Sequence, residues 1–249
     1  PFHLEKYNIN AVNYNRDVET FPILKNILHH ITGKDIYFSP TDMGVNMVGY
    51  CIKNNDIVEN AAKKEVVRRY FNELCNYKQG ISDFDTVQKI KLLMNELNID
   101  ENFLKVVEVS KKASEKKKTN VIALELPKGK IITGKQTDLL SPASSVIINA
   151  IKELSKIPDE INLLSPTILE PILKLRKNNN TLSLQEVLIA LAVCSVTNPS
   201  IASALEKLEV LKDCEAHATY IVTNGDLKAL KSLKINLTCE PNFYSKEIM

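Results

Sequence analysis

Apolar residues recur at helical spacing through the first part of the chain. Phe21 to Ile31 carries Ile23, Leu24, Ile27, Leu28 and Ile31, opens with Pro22 and stops at Gly33. That is a period of about 3.6 residues with a start and a stop signal. Asp56 to Lys78 predicts a long helix striped by Ile57, Ala61, Val66, Val67, Tyr70, Phe71 and Leu74, and Gly80 ends it. Arg68 and Arg69 interrupt the stripe, either as a solvated basic face or turned toward the segment 37–50. Asp85 to Leu97 and Asn102 to Ser114 predict two further amphipathic helices, and the lysine-rich run over 111–118 reads as an exposed helix end and linker. At Asn120 the period changes. Asn120–Leu126 predicts a strand, Pro127–Lys130 a turn and Ile131–Gly134 a second strand, together a hairpin. Helices follow from Ser141-Pro142 to about Ile157, from Ser165-Pro166 to near Lys177, over Ser183–Thr197 and over Pro199–Leu211. Ile161–Leu164 reads as a short strand between the first two. Glu215–Val222 predicts a strand, Asp226–Leu233 a helix and Ile235–Cys239 a last strand. The expected class is α/β, with a helical subdomain over 1–118, irregular at its start, and a three-layer α/β/α sandwich over 119–249.

Within the helical part, the segment Tyr37–Tyr50 concentrates turn formers, small polar side chains and two glycines in an apolar setting. Ser39-Pro40 and Thr41-Asp42 read as a capped helix start. Asp42 and Asn46, four residues apart, share one helical face. The two readings of this segment are a tightly packed capped helix and a ligand site. In the second part, Thr133-Gly134-Lys135 followed by Ser141, Ser144 and Ser145 is the best candidate anion seat: Gly134 bends the strand end, Lys135 supplies a charge, and the helix start offers N–H groups from Ala143 to Ser145. Its alternative is an ordinary strand–loop–helix connection with a good cap. His217 alternates with Glu215 and Thr219 on one strand face, either as a buried hydrogen-bonded histidine or as a general base.

Composition narrows the function classes. The 249 residues are 44% hydrophobic and 25% charged, as in a globular protein. With 32 basic and 30 acidic residues, the net charge of +2 predicts no nucleic-acid partner and no membrane partner. Five cysteines without a C-x-x-C pair fit reduced thiols in a cytoplasmic protein. There is no phosphate loop, no G-x-S-x-G and no H-E-x-x-H. A chain that begins with Pro1 is expected to be a processed product or a piece of something longer.

The element order from the hairpin onward resembles the cytidine-deaminase-like sandwich. The zinc enzymes of that fold place H-x-E and P-C-x-x-C at two helix starts, where this chain has Ser141-Pro-Ala-Ser144 and Ser165-Pro-Thr-Ile168, so no metal is expected. The segments Pro1–Glu5, Val12–Glu19, Ser39–Met47, Arg68–Tyr70, Thr133–Lys135, Leu139–Ser145, Cys214–His217 and Asn236–Pro241 together resemble motifs of the bacterial domain-of-unknown-function family 1846. That resemblance implies the C-terminal half of a protein about twice as long, whose N-terminal half carries a Gly-rich nucleotide-binding run absent here. Where relatives have Gly-Ala-Ser-Ser, this chain has Ser141-Pro142-Ala-Ser-Ser145, and the proline stiffens the loop. The expected function is an enzyme acting on a phosphate-bearing or nucleotide ligand, at a cleft shared with that N-terminal half. Asp42, Asn46 and Arg16 are its candidate catalytic residues, and Lys135, Ser144 and Ser145 hold the phosphate of a small anionic ligand. Any nucleotide cofactor is held mainly by the other half. The alternative is a non-catalytic interaction module, with homo-oligomer contacts, on a degenerate deaminase-like scaffold.

Overall fold

The computed structural model describes residues 21–34, 55–175 and 181–244. Two compact units divide between Leu104 and Lys105. The first contains helices α1 (Phe21–Thr32), α2 (Asn55–Lys78) and α3 (Phe84–Glu96), then a short 3-10 turn over Glu101–Phe103. Gly80, at φ 73°, lets the chain leave α2 in the left-handed region where a β-carbon is costly. The Asp83 side chain then accepts the Thr86 N–H at 3.0 Å to start α3. Val66, Val67, Tyr70 and Phe71 of α2 and Val87, Ile90, Leu93 and Met94 of α3 are buried. Those positions follow the apolar stripes, so the helices form for the reason their spacing predicts. Arg68 is paired with Glu65 one turn away, at 2.7 Å.

The second unit begins one helix earlier than the division expected after residue 118. Helix α4 (Lys105–Lys117) packs on the sheet of this unit, burying Val106, Val107 and Ser110. The sheet has four strands, β1 (Val121–Glu125), β2 (Ile131–Lys135), β3 (Glu215–Ala218) and β4 (Asn236–Cys239), in the order β2-β1-β3-β4. β1 pairs antiparallel with both β2 and β3, and β3 pairs parallel with β4. Between the hairpin and β3 run α5 (Pro142–Leu154), α6 (Pro166–Lys174), α7 (Leu184–Ser195) and α8 (Pro199–Glu206). Helix α9 (Asn224–Ser232) makes the crossover from β3 to β4. Strand alternation sorts the sheet residues. Ile122, Leu124, Ala216 and Ala218 join the core built with α5 and α7, while Ala123 and His217, opposite each other in register, take the other face.

The α/β class is therefore observed, with one local difference. Ile161–Leu164 forms no strand; Leu163 and Leu164 are both buried, as successive residues of an irregular segment. A deaminase-like sandwich was expected partly on that strand. Among the described residues no helix is long and apolar enough to cross a membrane.

A buried carboxylate ties α7 to α9. Asp226, 2% exposed, accepts the Leu184 N–H at 2.7 Å, a helix-start donor with no partner inside its own helix. Replacing Asp226 with alanine strands that donor, so the variant is expected to lose about 1–3 kcal/mol in urea unfolding. A loss below about 0.5 kcal/mol would show that the bond contributes nothing.

Candidate functional site

β2 is an edge strand, and its register decides which backbone groups face outward. Leu126 and Lys130, and likewise Asn120 and Gln136, are bonded across the hairpin. By the alternation of antiparallel pairs, Ile132 and Gly134 bond inward to β1, while Ile131, Thr133 and Lys135 turn their N–H and C=O groups away from the sheet. The outward Thr133 carbonyl accepts from the Asn149 side chain at 3.0 Å. Among the described residues the outward N–H groups of Thr133 and Lys135 have no partner.

These groups line a cleft of about 630 Å³ bounded by β2, α5, the end of α4 and the segment 159–169. Helix α5 presents Ser145, Asn149 and Lys152 to it, at positions i, i+4 and i+7 of one face. Four lysines reach the cleft: Lys117, Lys130, Lys135 and Lys152. Two are committed, since Lys130 pairs with Glu153 at 2.5 Å and the buried Lys152 ammonium donates to the Asp159 carbonyl at 2.8 Å. Lys117 and Lys135 have no partner among the described residues. Ser145 is 8% exposed, and its hydroxyl is buried with no hydrogen-bond partner among them. A buried hydroxyl left unbonded costs free energy, about 1–3 kcal/mol on mutational scales.

The predicted residues separate. Lys135 and Ser145 line one cleft. Ser144 does not join them: it is fully buried, its hydroxyl donates to the Leu182 carbonyl at 3.0 Å, and it lies 3.0 Å from the Ser141 hydroxyl. The helix start is also not the open donor set expected of it. The Ser144 N–H bonds the Ser141 hydroxyl at 3.2 Å and the Ser145 N–H bonds the Ser141 carbonyl at 3.0 Å, which leaves Ala143 alone of the three. Nor does Gly134 bend the strand end. It lies within β2, paired with Ile122, and the first turn of α5 rests directly on it. Asp42, Asn46 and Arg16 lie outside the described residues. Asn149, Lys152 and Lys117 were missed, although the polar stripe Ser145–Asn149–Lys152 on an otherwise apolar helix was a readable signal.

On the α4 face of the sheet, His217 is fully buried. Its Nδ1 lies 2.7 Å from the Thr238 hydroxyl and its Nε2 3.1 Å from Glu240 Oε1, which also receives Lys111 at 2.9 Å. A carboxylate only accepts, so Nε2 carries a proton. Burial pushes the Glu240 carboxyl up, but the hydrogen bonds from His217 and Lys111 outweigh it and hold it below the usual glutamate value. With His217 shut off from solvent, this arrangement ties α4 to the sheet and offers no group to a substrate. Among the described residues no three His, Cys, Asp or Glu side chains gather as a metal set.

An α/β protein with a cationic cleft on its sheet edge is the class that the geometry defines. Residues 102–249 match the family model "Domain of unknown function DUF1846, C-terminal", and residues 1–98 match "Domain of unknown function DUF1846, N-terminal". The chain belongs to this family. The UPF0371 protein of Clostridium tetani (strain Massachusetts / E88) is 44% identical over 261 residues, covering 99% of this chain and 52% of that protein. A UPF0371 protein of Clostridium botulinum (strain Eklund 17B / Type B) is 47% identical over the same coverage. The chain thus spans about half the length of the curated relatives it matches. The match of residues 1–98 to the N-terminal model corrects the expectation that the chain corresponds to the C-terminal part of the family alone.

Proposed function

We propose that the cleft beside β2 and α5 binds a small phosphate-bearing molecule, as the ligand site of an enzyme. The observation that carries this reading is the buried, unbonded Ser145 hydroxyl in the same cleft as the uncommitted Lys135 and Lys117. The outward N–H groups of Thr133 and Lys135 add donors that a phosphate oxygen accepts from. Among the described residues the cleft supplies groups that bind an anion. The sequence candidates Asp42, Asn46 and Arg16 lie outside the described residues and are not placed at this cleft.

Inorganic phosphate is expected to raise the melting temperature, and Lys135→Ala to remove most of that rise. The lost charge-assisted bond, about 1.5–3 kcal/mol, corresponds to at least about tenfold weaker binding. Ser145→Ala separates binding from structure. It is expected to keep or gain stability, by up to about 1 kcal/mol, because an unsatisfied buried hydroxyl disappears, and yet to bind phosphate more weakly. Identical phosphate responses from wild type and both variants would overturn the reading.

A second reading, an interaction module, has one observation in its favour. Helix α7 is apolar nearly all round, yet Ile189 and Val193 are more than half exposed. A helix of that composition is ordinarily covered.

A further inference from the structure

Resting on the anion-binding reading of the β2–α5 cleft, we infer the chemical class of its ligand: a phosphate monoester of a polyhydroxylated body, as in a sugar phosphate. Charged groups are sorted along the cleft, and that sorting carries the inference. Helix α5 runs antiparallel to β2: Gly134 lies against Val146, the Thr133 carbonyl accepts from Asn149 at 3.0 Å, and Lys130 pairs with Glu153. One end of the cleft therefore holds Ser145 and Lys135. Lys117 belongs to the same end, because the connection from α4 to β1 meets the end of β2 where the Gln136 N–H bonds the Asn120 carbonyl. The other end holds Lys130, Lys152, Glu153 and Asp159. At the Ser145 end two ammonium groups stand without a carboxylate among the lining residues, which matches one phosphate monoester, about −1.5 to −2 at pH 7. At the far end the Lys130 and Lys152 ammonium groups are matched in number by the Glu153 and Asp159 carboxylates, so that end has no net charge to offer a second phosphate.

Reach and lining set the rest of the ligand. Ser145 and Lys152 are two turns of α5 apart, about 10 Å at ~1.5 Å per residue. A phosphate takes the room of two or three waters, at about 30 Å³ each, and so occupies one end of about 630 Å³. What it leaves is polar. The Asp159 carboxylate and the Asn162 amide have no partner among the described residues. Leu163, Leu164 and Leu169 line the cleft but are 6%, 6% and 3% exposed, so they show it little hydrocarbon. A carboxylate only accepts, an ammonium only donates and an amide does both. Hydroxyl groups, which donate and accept, meet all three. An aromatic body would strip water from these groups and return no bond. A protonated amine, with no acceptor, would leave the lysines and the Asn162 amide unanswered.

Titration calorimetry with glucose 6-phosphate, phenyl phosphate, inorganic phosphate and fructose 1,6-bisphosphate tests the inference. Glucose 6-phosphate is expected to bind about tenfold tighter than phenyl or inorganic phosphate, the return on two or three added hydrogen bonds. The bisphosphate is expected to gain nothing further, since its second phosphate meets Glu153 and Asp159. Asp159→Ala alters an exposed side chain and keeps the backbone carbonyl that receives Lys152. It is expected to remove most of the preference for glucose 6-phosphate while leaving the affinity for inorganic phosphate unchanged. Lys135→Ala is expected to weaken all four together. Equal affinities for glucose 6-phosphate and inorganic phosphate, tighter binding of phenyl phosphate, or a preference that survives Asp159→Ala would overturn the polyhydroxylated class and leave the anion site standing. Tighter binding of the bisphosphate than of glucose 6-phosphate would overturn the single-phosphate assignment. No binding of any of the four would remove the anion site itself, and this inference with it.

Discussion

Replacing Gly134 with alanine is expected to cost the second unit about 3 kcal/mol or more. A β-carbon at this position would lie 2.1 Å from the Val146 nitrogen, 2.5 Å from its Cα and 2.7 Å from the Pro142 carbonyl oxygen. All three are backbone atoms of the first two turns of α5, so no flexible side chain can swing away. The first turn is itself anchored: the Ser141 N–H and the Ser144 hydroxyl both bond the Leu182 carbonyl, each at 3.0 Å. Overpacking ordinarily costs about 1–3 kcal/mol, and three backbone clashes at once place this site at or beyond the upper end. Gly225→Ala provides the control, because a β-carbon there meets nothing within 4 Å. Urea unfolding measures both variants. A loss under about 1 kcal/mol for Gly134→Ala would show that α5 lifts off β2 easily. The cleft would move with it, since Ser145 and Asn149 are placed by that same turn and the one after it.

Gly134 also shows what a single sequence hides. A glycine announces that something needs the absence of a side chain, but not whether the need is a backbone angle or a neighbour's approach. The angle was the expected reason, and the neighbouring helix is the actual one. Ser144 and Ser145 pose the same difficulty one level up. Adjacent residues on a helix point about 100° apart, so one can bond Leu182 in the interior while the other meets the cleft. Choosing between them needs the helix phase, and the polar positions Asn149 and Lys152 would have set it. The helices and the four strands were legible because their apolar periods are long or their turn signals clear, as at Pro127–Lys130. Ile161–Leu164 misled because a short apolar run has no period of its own. The pairing of β1 with β3 joins residues almost a hundred positions apart, and neither strand carries a mark of the other. The place of α4 was equally silent: its lysine-rich end looked like a linker, while its Val106 and Val107 pack on the sheet.

The His217–Glu240–Lys111 connection predicts the second large effect, on stability and its pH dependence. Nothing in it is spare. His217 spans from Thr238 to Glu240 with no exposure, and Glu240 has only 17% of its side chain exposed while serving both His217 and Lys111. Removing the imidazole opens a cavity and takes a buried partner from Glu240. Losses of about 3–5 kcal/mol are usual when one member of a buried pair is deleted, so His217→Ala is expected near the lower end of that range. The acid limb identifies the charge. Because the Glu240 carboxyl is held below its usual value by hydrogen bonds from His217 and Lys111, the unfolded chain takes up its proton more readily. Stability from this group is therefore fully present above the ordinary glutamate value of 4.5. It is lost as pH falls below that value and through the lower value of the folded protein. Glu240→Gln cannot take up this proton, so its stability difference from wild type should shrink as pH is lowered from 7 to 3. Urea unfolding at a series of pH values measures this directly. Parallel curves over the whole range would show that the carboxylate contributes shape and not charge, and would remove the ion pair from the account of how α4 is held to the sheet.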